Sequence, residues 1–221
     1  MSRLRVLTYN VRSLRDDDAA VARVIRSAAP DVVCVQEAPK WWRWRSRCAA
    51  LARRTDLMVI TGGLPAGHNL LMCRVAVDVS ETLDRQLSRS RGLHQRGVAM
   101  ATCELGGSRF RLVGTHFSLD PRERRRHVDE ILSLIGEPSE PVIIGADVNE
   151  APGAPAWSAL AARFPECAVT GGTFPADTGQ RRIDGIFASA SAAVSSAGVL
   201  DSADVRAASD HRPVLAEIEL D

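Results

Sequence analysis

Apolar and polar positions along the chain follow two periodicities, and together they predict a mixed α/β protein. Alternating or continuous apolar runs rich in strand-forming residues predict strands along the whole length. The predicted strands are Leu4–Val11, the run VVCVQ at 32–36, Leu57–Thr61, Asn69–Arg74, Val98–Glu104, Arg109–Thr115, the run PVIIGADVN at 141–149, Ile183–Ala188, Ala193–Leu200 and Pro213–Leu220.

Helical spacing of apolar residues predicts four helices between these strands. They are Asp16–Ala28, which Pro30 stops, then Trp41–Arg54, Pro121–Ile135 with Gly136 after it, and Ala154–Phe164. Strands outnumber helices, and neither a linker nor a repeat divides them. We therefore expect a single α/β domain over residues 1–221.

Six of the apolar runs end in a polar group that can bind a metal ion or move a proton. Strand ends line the ligand crevice in many α/β architectures, because the core holds the strands while loops leave their ends open. These groups are Asn10, Glu37, His116, Asp147 with Asn149, Asp184, and Asp210 with His211.

The residue types in this set favour phosphoester hydrolysis. Four carboxylates and two amides supply the hard oxygen ligands that Mg²⁺ or Mn²⁺ prefers, whereas zinc would require more histidine or cysteine. His116 and His211 can donate to phosphate oxygens or exchange protons near neutral pH. Most of these residues also have a local alternative. Asn10 could form a turn, Glu37 could stabilise the next helix, and Asp147 with Asn149 could form an Asx turn. Asp184 and His211 could form a purely structural pair, and Asp210 could cap or turn the chain before Pro213.

Six motifs, in chain order, resemble those of the endonuclease/exonuclease/phosphatase superfamily, the deoxyribonuclease-I-like hydrolases. They are TYNVR, VVCVQE, GTHF, IIGADVNE, RRIDGIF and ASDHRPV, and they span positions 8 to 214. The resemblance implies a four-layer α/β sandwich, in which two mainly antiparallel sheets pack face to face and helices cover both outer faces.

The resemblance also implies a metal site and an attacking water. Asn10 and Glu37 correspond to the main metal ligands, and Asp210 to a further ligand that binds directly or through water. Asp147 corresponds to the residue that orients or deprotonates the attacking water. The expected cofactor is Mg²⁺, with Mn²⁺ as a substitute.

The remaining motif residues correspond to groups around the scissile phosphate. Asn149 resembles the amide that donates to the phosphoryl oxygens, and His211 the histidine that contacts the phosphate. Asp184 resembles the carboxylate that fixes the tautomer of that histidine. His116 resembles a second histidine that binds phosphate or donates a proton to the leaving group. The implied reaction is in-line attack of water on phosphorus.

Two positions depart from the family pattern. Ala146 stands where a glycine usually precedes the aspartate of the DxN motif, and Gly185 replaces an aromatic residue after the aspartate of RRIDGIF. We expect the second change to open space beside Asp184 and His211. The chain is also compact, with little length for loops that grip duplex DNA.

Composition excludes several protein classes. The 221 residues include 28 basic and 27 acidic side chains, for a net charge of +1, and 45% are hydrophobic. Disorder, a membrane span and a basic nucleic-acid coat protein are therefore poor interpretations. The N-terminus shows no secretory signal, and five scattered cysteines resemble small core residues, so we expect a cytoplasmic monomer.

The basic residues are unusual because only Lys40 is a lysine. A GC-rich coding bias is the simplest cause, although arginine also suits bidentate phosphate contacts. Arginines gather in segments 41–54, 85–96 and 122–126, and Arg96 is a candidate phosphate contact. Residues 41–47 have the composition of a nucleic-acid platform, but burial of Trp41 and Trp44 in the core is favoured. The third segment either faces a polyanion or is solvated, and we expect His68 and His127 at the surface or in loops.

Three functions follow from this sequence. The favoured one is a Mg²⁺-dependent nuclease that cuts DNA or RNA. The alternative is a phosphatase or phosphodiesterase for a small phosphorylated metabolite or a lipid head group, because both activities need the same metal centre. A non-catalytic binding protein on the same fold is the third, but the complete set of metal, water and phosphate groups argues against it.

Overall fold

The computed structural model describes residues 2–167 and 169–220, and in these ranges it contains eleven strands and five α-helices. The strands are β1 Ser2–Asn10, β2 Val32–Gln36, β3 Met58–Gly63, β4 Asn69–Cys73, β5 Asp78–Gln86, β6 Gly97–Leu105, β7 Ser108–His116, β8 Val142–Asp147, β9 Asp184–Ala188, β10 Ala193–Val199 and β11 Val214–Leu220. The helices are α1 Asp18–Ala28, α2 Trp44–Arg54, α3 Pro121–Ile135, α4 Pro155–Arg163 and α5 Ala203–Ala208.

The strands form two sheets of similar design. The first has the order β10-β11-β1-β2-β4-β3, and the second has the order β5-β6-β7-β8-β9. Each sheet contains one parallel pair, β1 with β2 and β7 with β8, among antiparallel neighbours. In a parallel pair both strands end at the same edge of the sheet, so the polar groups that follow them are brought together.

The apolar core between the sheets is closely packed near the strand ends. It contains Val6 and Cys34 from the first sheet and Leu112 and Ile143 from the second, all fully buried. A Cβ added at Gly145 would lie 2.6 Å from the Cβ of Cys34. Any larger side chain at this position would therefore push the two sheets apart.

Helices cover the outer face of each sheet. Apolar residues of α1, α2 and α5 pack on β1, β2 and β4, where Ile25 and Leu51 are buried. Residues of α3 and α4 pack on the second sheet, where Val128 and Trp157 are buried. The architecture is thus the α/β sandwich of four layers that the motifs implied.

Two elements lie where no strand or helix was predicted. Strand β5 is an edge strand in which most side chains are exposed, so its sequence DVSETLDRQ carries no apolar alternation. Helix α5 is only six residues long, too short for a periodic pattern, and is capped at its N-terminus by Ser202.

Helix α2 differs from its prediction at its start. It begins at Trp44 because Arg43 adopts a left-handed backbone conformation with φ 62°. Trp44 is half-buried, but Trp41 is 66% exposed and Trp42 is 88% exposed. The prediction that Trp41 is a core residue is therefore wrong.

The remaining sequence expectations about the core can be settled from burial. All five cysteines are buried and unpaired, as predicted. His127 is fully buried, which contradicts the expectation of a surface residue, whereas His68 does lie in a loop. In the described ranges, none of the helices combines the length and the apolar character needed to cross a membrane.

Candidate active site

The site forms where the two sheets present their parallel strand pairs at the same edge. Asn10 is the last residue of β1 and lies opposite Gln36, the residue before Glu37. In the second sheet His116 pairs with Asp147 in register, and Asp147 pairs with Asp184 on the antiparallel strand β9. The strand register therefore places four of the predicted residues in one region.

Asp147 lies at the centre of this region and is 1% exposed. Its Oδ2 accepts a hydrogen bond from Nδ2 of Asn10 at 2.9 Å, across the interface between the sheets. Its Oδ1 accepts one from the backbone N–H of Asn149 at 3.0 Å, which is the Asx turn considered above. The turn and the site coexist, because the turn leaves Oδ2 facing Asn10 and the two histidines.

His211 and Asp184 form a buried pair beside Asp147. Nδ1 of His211 lies 2.9 Å from Oδ2 of Asp184 and 3.1 Å from its Oδ1. With Nδ1 donating to the carboxylate, Nε2 points towards Asp147, whose Oδ2 is 3.9 Å away. The Phe174 ring packs against the imidazole with ring centroids 5.0 Å apart, which fixes the plane of the histidine.

His116 occupies the opposite side of Asp147 and is held by Arg96. A guanidinium nitrogen of Arg96 lies 2.9 Å from Nδ1 of His116. Arginine can only donate, so Nδ1 accepts the hydrogen bond from Arg96. Nε2 of the ring lies 3.2 Å from Oδ2 of Asp147 and 2.9 Å from the side-chain amide nitrogen of Asn149. The same amide nitrogen donates to the carbonyl of Phe117 at 3.0 Å.

Burial and mutual charge move the pKa values of these groups apart. Burial, reinforced by the neighbouring Asp184 carboxylate, raises the pKa of Asp147 to about 7. Burial alone would lower the pKa of His211, but Asp184 and Asp147 outweigh it and raise the pKa to about 10. Burial, together with Arg96, lowers the pKa of His116 well below its usual value. His211 is therefore cationic near neutral pH, while His116 is neutral.

Glu37 and Asp210 each hold a cationic side chain. Glu37 adopts a left-handed backbone with φ 49°, and its carboxylate lies 3.1 Å from Nζ of Lys40. Burial works to raise the pKa of Glu37, but Lys40 outweighs it and holds the pKa below its usual value. Nε of Arg12 lies 3.4 Å from Asp210. Asp210, then Asp16 and more weakly Glu37, raise the pKa of Arg12, whose guanidinium contacts the first two of these carboxylates.

These donors fit a hard divalent cation. Oxygen ligands are available at the sheet edge from the partly exposed carboxylates of Glu37 and Asp210 and from the amide oxygen of Asn10. The amide nitrogen of Asn10 donates to Asp147. The Arg12 guanidinium already places a positive charge beside Asp210, as a bound cation would. Within the described ranges, the group of three acidic or histidine side chains whose ligand atoms all lie within 4.8 Å of one another is a different one, Asp147, Asp184 and His211.

A basic cavity of about 360 Å³ opens beside Glu37 and His116. Its wall includes three cationic side chains and three histidines, against the single carboxylate of Glu37. They are Arg15, Lys40 and Arg96, with His68, His94 and His116. An anionic ligand that reaches His116 would therefore enter a site lined with positive charge.

The structure brings the predicted site residues together but adds partners that the motifs did not suggest. Lys40 and Arg12 are the ion-pair partners of Glu37 and Asp210, and each follows a site residue by only two or three positions. Their closeness to the site residues in the sequence was the signal that could have identified them. Only the fold shows that the cavity is also lined by Arg15, His68 and His94, which belong to none of the motifs.

Two further expectations need correction. The space expected at Gly185 is filled, because a Cβ added there would lie 2.9 Å from the Trp157 ring. In segment 122–126, neither alternative describes Arg124, which is buried and pairs with Glu150. Arg122, Arg125 and Arg126 are exposed, as the solvated alternative expects, and Arg125 and Arg126 lie beside Asp129 and Glu123 of the same helix.

Comparison with known families gives one match over most of the chain. A family model described as the Endonuclease/Exonuclease/phosphatase family matches residues 7–211. None of the curated proteins matches the sequence.

Solved structures share the fold over nearly their full length. A Bacteroides thetaiotaomicron mannosyl-6-phosphatase is 19% identical with a TM-score of 0.83, covering 98% of this chain and 100% of its own. The human Nocturnin catalytic domain with bound sulfate is 14% identical with a TM-score of 0.79, covering 99% and 95%. TDP2 of D. rerio, complexed with single strand DNA product, is 17% identical with a TM-score of 0.77, covering 98% and 100%. At identities this low, the structural similarity establishes a common fold and nothing more.

Proposed function

The chain belongs to the endonuclease/exonuclease/phosphatase family of phosphoester hydrolases, and we propose that it hydrolyses phosphodiesters with Mg²⁺ and acts as a nuclease. One observation carries the proposal: Asp147 lies between two imidazoles of opposite character. His211 is held by Asp184 on one side, and His116 is held by Arg96 on the other. Since the site draws on residues from β1 to the segment after α5, we propose that the whole chain works as one domain.

Asp147 is the group we assign to the attacking water. Its Oδ2 faces the centre of the site, and Asn10 donates to that same oxygen. A water that hydrogen-bonds to Asp147 would transfer a proton to the carboxylate as its oxygen bonds to phosphorus. The bond from phosphorus to the leaving oxygen then breaks, and the leaving group takes its proton from solvent or from a neighbouring donor.

The two histidines and Asn149 are the groups we assign to the phosphoryl oxygens. His211 is cationic and aims Nε2 into the site, so it can stabilise the negative charge that grows in the transition state. His116 is neutral, and we assign it a hydrogen bond from Nε2–H rather than proton donation to the leaving group. Asn149 provides an amide on the same side as His116.

We place the metal with Asn10, Glu37 and Asp210. When bound, Mg²⁺ supplies neutralisation of phosphate charge and polarisation of the phosphoryl group. Arg12 and Lys40 hold these carboxylates when no metal competes for them, and both side chains are flexible enough to move away.

A panel of phosphoesters tests the proposal. With Mg²⁺ or Mn²⁺, the enzyme should hydrolyse single- or double-stranded nucleic acid faster than monoester or diester metabolites. A nucleic-acid substrate also predicts that activity falls steeply with added salt, because each neutralised phosphate releases counterions. A flat salt response would contradict the nuclease assignment, and no metal-dependent turnover on any phosphoester would contradict hydrolysis itself.

A second candidate is a phosphatase for a small phosphorylated molecule. The observation that favours it is the cavity of about 360 Å³ beside His116, which is large enough for a mononucleotide or a sugar phosphate. This function predicts fastest turnover on a monoester metabolite and little dependence on salt, so the same panel separates the two candidates.

A further inference from the structure

Residues 40–47, the tryptophan–arginine segment, connect the loop after Glu37 to helix α2. The sequence is KWWRWRSR, with four basic residues and three tryptophans and no acidic residue. Trp44 anchors the segment, because its ring packs on Gly63, where an added Cβ would lie 2.1 Å from a ring carbon. The other two tryptophans have no such anchor.

Trp41 and Trp42 expose an amount of apolar ring that is costly in water. Their exposed fractions are 66% and 88%, although tryptophan is highly buried on average in folded proteins. The Arg43 guanidinium lies over the Trp42 ring, 6.0 Å from its centroid, and Arg45 lies over Trp44 at 4.3 Å. The segment therefore presents flat aromatic faces next to cationic groups.

The arginines of this segment have no carboxylate partners. Within residues 2–167 and 169–220, Arg43, Arg45 and Arg47 form no ion pair, whereas Arg54 at the other end of α2 pairs with Asp18. Other surface arginines, such as Arg23 beside Asp204, are paired in the same way as Arg54. The positive charge of the tryptophan–arginine segment is therefore available to a ligand.

The segment is continuous with the basic cavity at the site. Lys40 lines that cavity and also lines a surface hollow of about 570 Å³ formed by residues 40–45. Its Nζ is the atom that contacts Glu37. A polymer with one phosphate beside His116 would pass Lys40 and reach the two exposed tryptophans.

We propose that the tryptophan–arginine segment is a stacking platform for single-stranded nucleic acid, with Trp41 and Trp42 holding bases and Arg43 and Arg45 holding phosphates. The inference rests on the nuclease function proposed above and names the form of its substrate. A single strand exposes the faces of its bases to such rings, whereas duplex bases are already stacked on one another.

A lipid surface is the competing occupant for exposed tryptophan and arginine. A strand is favoured because the hollow shares Lys40 with the basic cavity at the site, so one polymer can place bases on the tryptophans and a phosphate beside His116, whereas a bilayer would not enter that cavity. The test therefore includes vesicles of phosphatidylcholine and phosphatidylserine as a separate arm.

The experiment measures binding by the full chain in EDTA, which prevents turnover. The ligands are a labelled oligothymidylate of about twenty nucleotides and an abasic strand of equal length, which keeps the phosphates and lacks the bases. The variant is Trp41→Ala with Trp42→Ala, and Trp41→Phe with Trp42→Phe tests rescue by a smaller ring. Val75→Ala with Arg109→Ala is the matched control, because both residues are exposed and Arg109 lies at the far end of β7.

We expect the wild-type protein to bind the oligothymidylate about tenfold or more tighter than the abasic strand, from stacking of one or two bases. The alanine pair should lose that preference, the phenylalanine pair should regain part of it, and the control should keep it. Tryptophan fluorescence should be quenched on binding in the wild type and less so in the alanine pair. Thermal melting should be unchanged, because both rings are exposed.

Equal binding of the two strands by the wild-type protein would overturn the platform, and so would a preference that survives the alanine pair. Tryptophan-dependent binding to vesicles without binding to the strand would overturn it in favour of a lipid surface. Hydrolysis of bis(4-nitrophenyl) phosphate by the wild-type protein checks the proposed function separately. If that hydrolysis is present and the base preference is absent, only the platform fails; if hydrolysis of every phosphoester is absent, the proposed function fails whatever binds.

Discussion

The strand-end site and the tryptophan–arginine segment lie next to each other, yet they are built in opposite ways. At the strand ends, Asp147, Asp184 and His211 are almost completely buried, and His211 is hydrogen-bonded to Asp184. In the segment, Trp41 and Trp42 are exposed and Arg43 has no acidic partner in the described chain. Residues of both sheets hold the first region, while the second lies at the start of one helix.

The difference separates chemistry from recognition. Groups that move a proton or stabilise charge gain from burial, because a low dielectric strengthens each interaction and fixes each geometry. Groups that grip a polymer need to be accessible before the ligand arrives. We therefore expect changes in the buried region to reduce turnover of every substrate, and changes in the exposed region to affect only strands.

The largest expected effect follows His211→Ala. This substitution removes the cationic donor held by Asp184, and we expect turnover to fall by about 10³-fold on nucleic acid and on bis(4-nitrophenyl) phosphate alike. His127→Ala is the matched control, since His127 is equally buried but lies on α3 and bonds to the Ser88 carbonyl. The control should melt at a lower temperature with turnover close to wild type. A similar loss of turnover in both variants would mean that loss of stability, and not loss of a catalytic group, explains the effect of His211→Ala.

Glu37→Gln tests whether the strand-end region also holds the metal. Loss of one negative charge should raise the Mg²⁺ concentration that gives half-maximal rate by about tenfold or more. The control is Glu137→Gln, whose side chain is 90% exposed and pairs with Arg163. A Mg²⁺ titration that does not move would place the metal away from Glu37.

Arg96→Lys tests a residue that can serve both the chemistry and the recognition of substrate, because Arg96 lines the basic cavity and also holds His116. Lysine keeps the charge and loses the planar fork, so we expect kcat/KM to fall by about tenfold on strands and small diesters alike. Arg109→Lys, at the opposite end of the sheet, should be neutral. A loss confined to strands would make Arg96 part of recognition only.

The smallest expected effect is that of Arg43→Gln on the salt dependence of strand binding. If Arg43 contacts one phosphate, the slope of log K against log salt concentration should become shallower by about 0.7. Arg109→Gln removes an equal charge elsewhere and should leave the slope unchanged. Equal slopes for wild type and Arg43→Gln would mean that the segment does not meet phosphates.

The sequence allowed a correct prediction where a buried apolar strand is followed directly by a polar site residue. The run VIIGAD is apolar because both faces of β8 are covered, and it ends in Asp147 because the sheet edge is open. The same pattern identified β1, β2 and β7 together with the polar residues after them. The grouping of the site residues could therefore be predicted from this pattern, whereas the four-layer architecture was implied by the resemblance of the motifs to the family.

The failures share a physical cause, since they concern residues whose surroundings are set by distant parts of the chain. Strand β5 is stabilised by pairing with β6 and carries no apolar face of its own. Trp41 looked like a core residue by spacing, but the left-handed Arg43 delays the start of α2. The filling of the space at Gly185 by Trp157 depends on how α4 packs on β9, which no local pattern encodes.

The most direct test of the account is Mg²⁺-dependent hydrolysis of bis(4-nitrophenyl) phosphate by the wild-type protein and by Asp147→Asn. Asparagine keeps the shape of the side chain and removes its capacity to accept a proton from water, and Asp129→Asn on the surface of α3 is the matched control. We predict turnover that EDTA abolishes and Mg²⁺ restores in the wild type and in Asp129→Asn, with a loss of about 10²-fold or more in Asp147→Asn. Wild-type turnover that is indifferent to the metal, or an Asp147→Asn variant as active as wild type, would contradict the account.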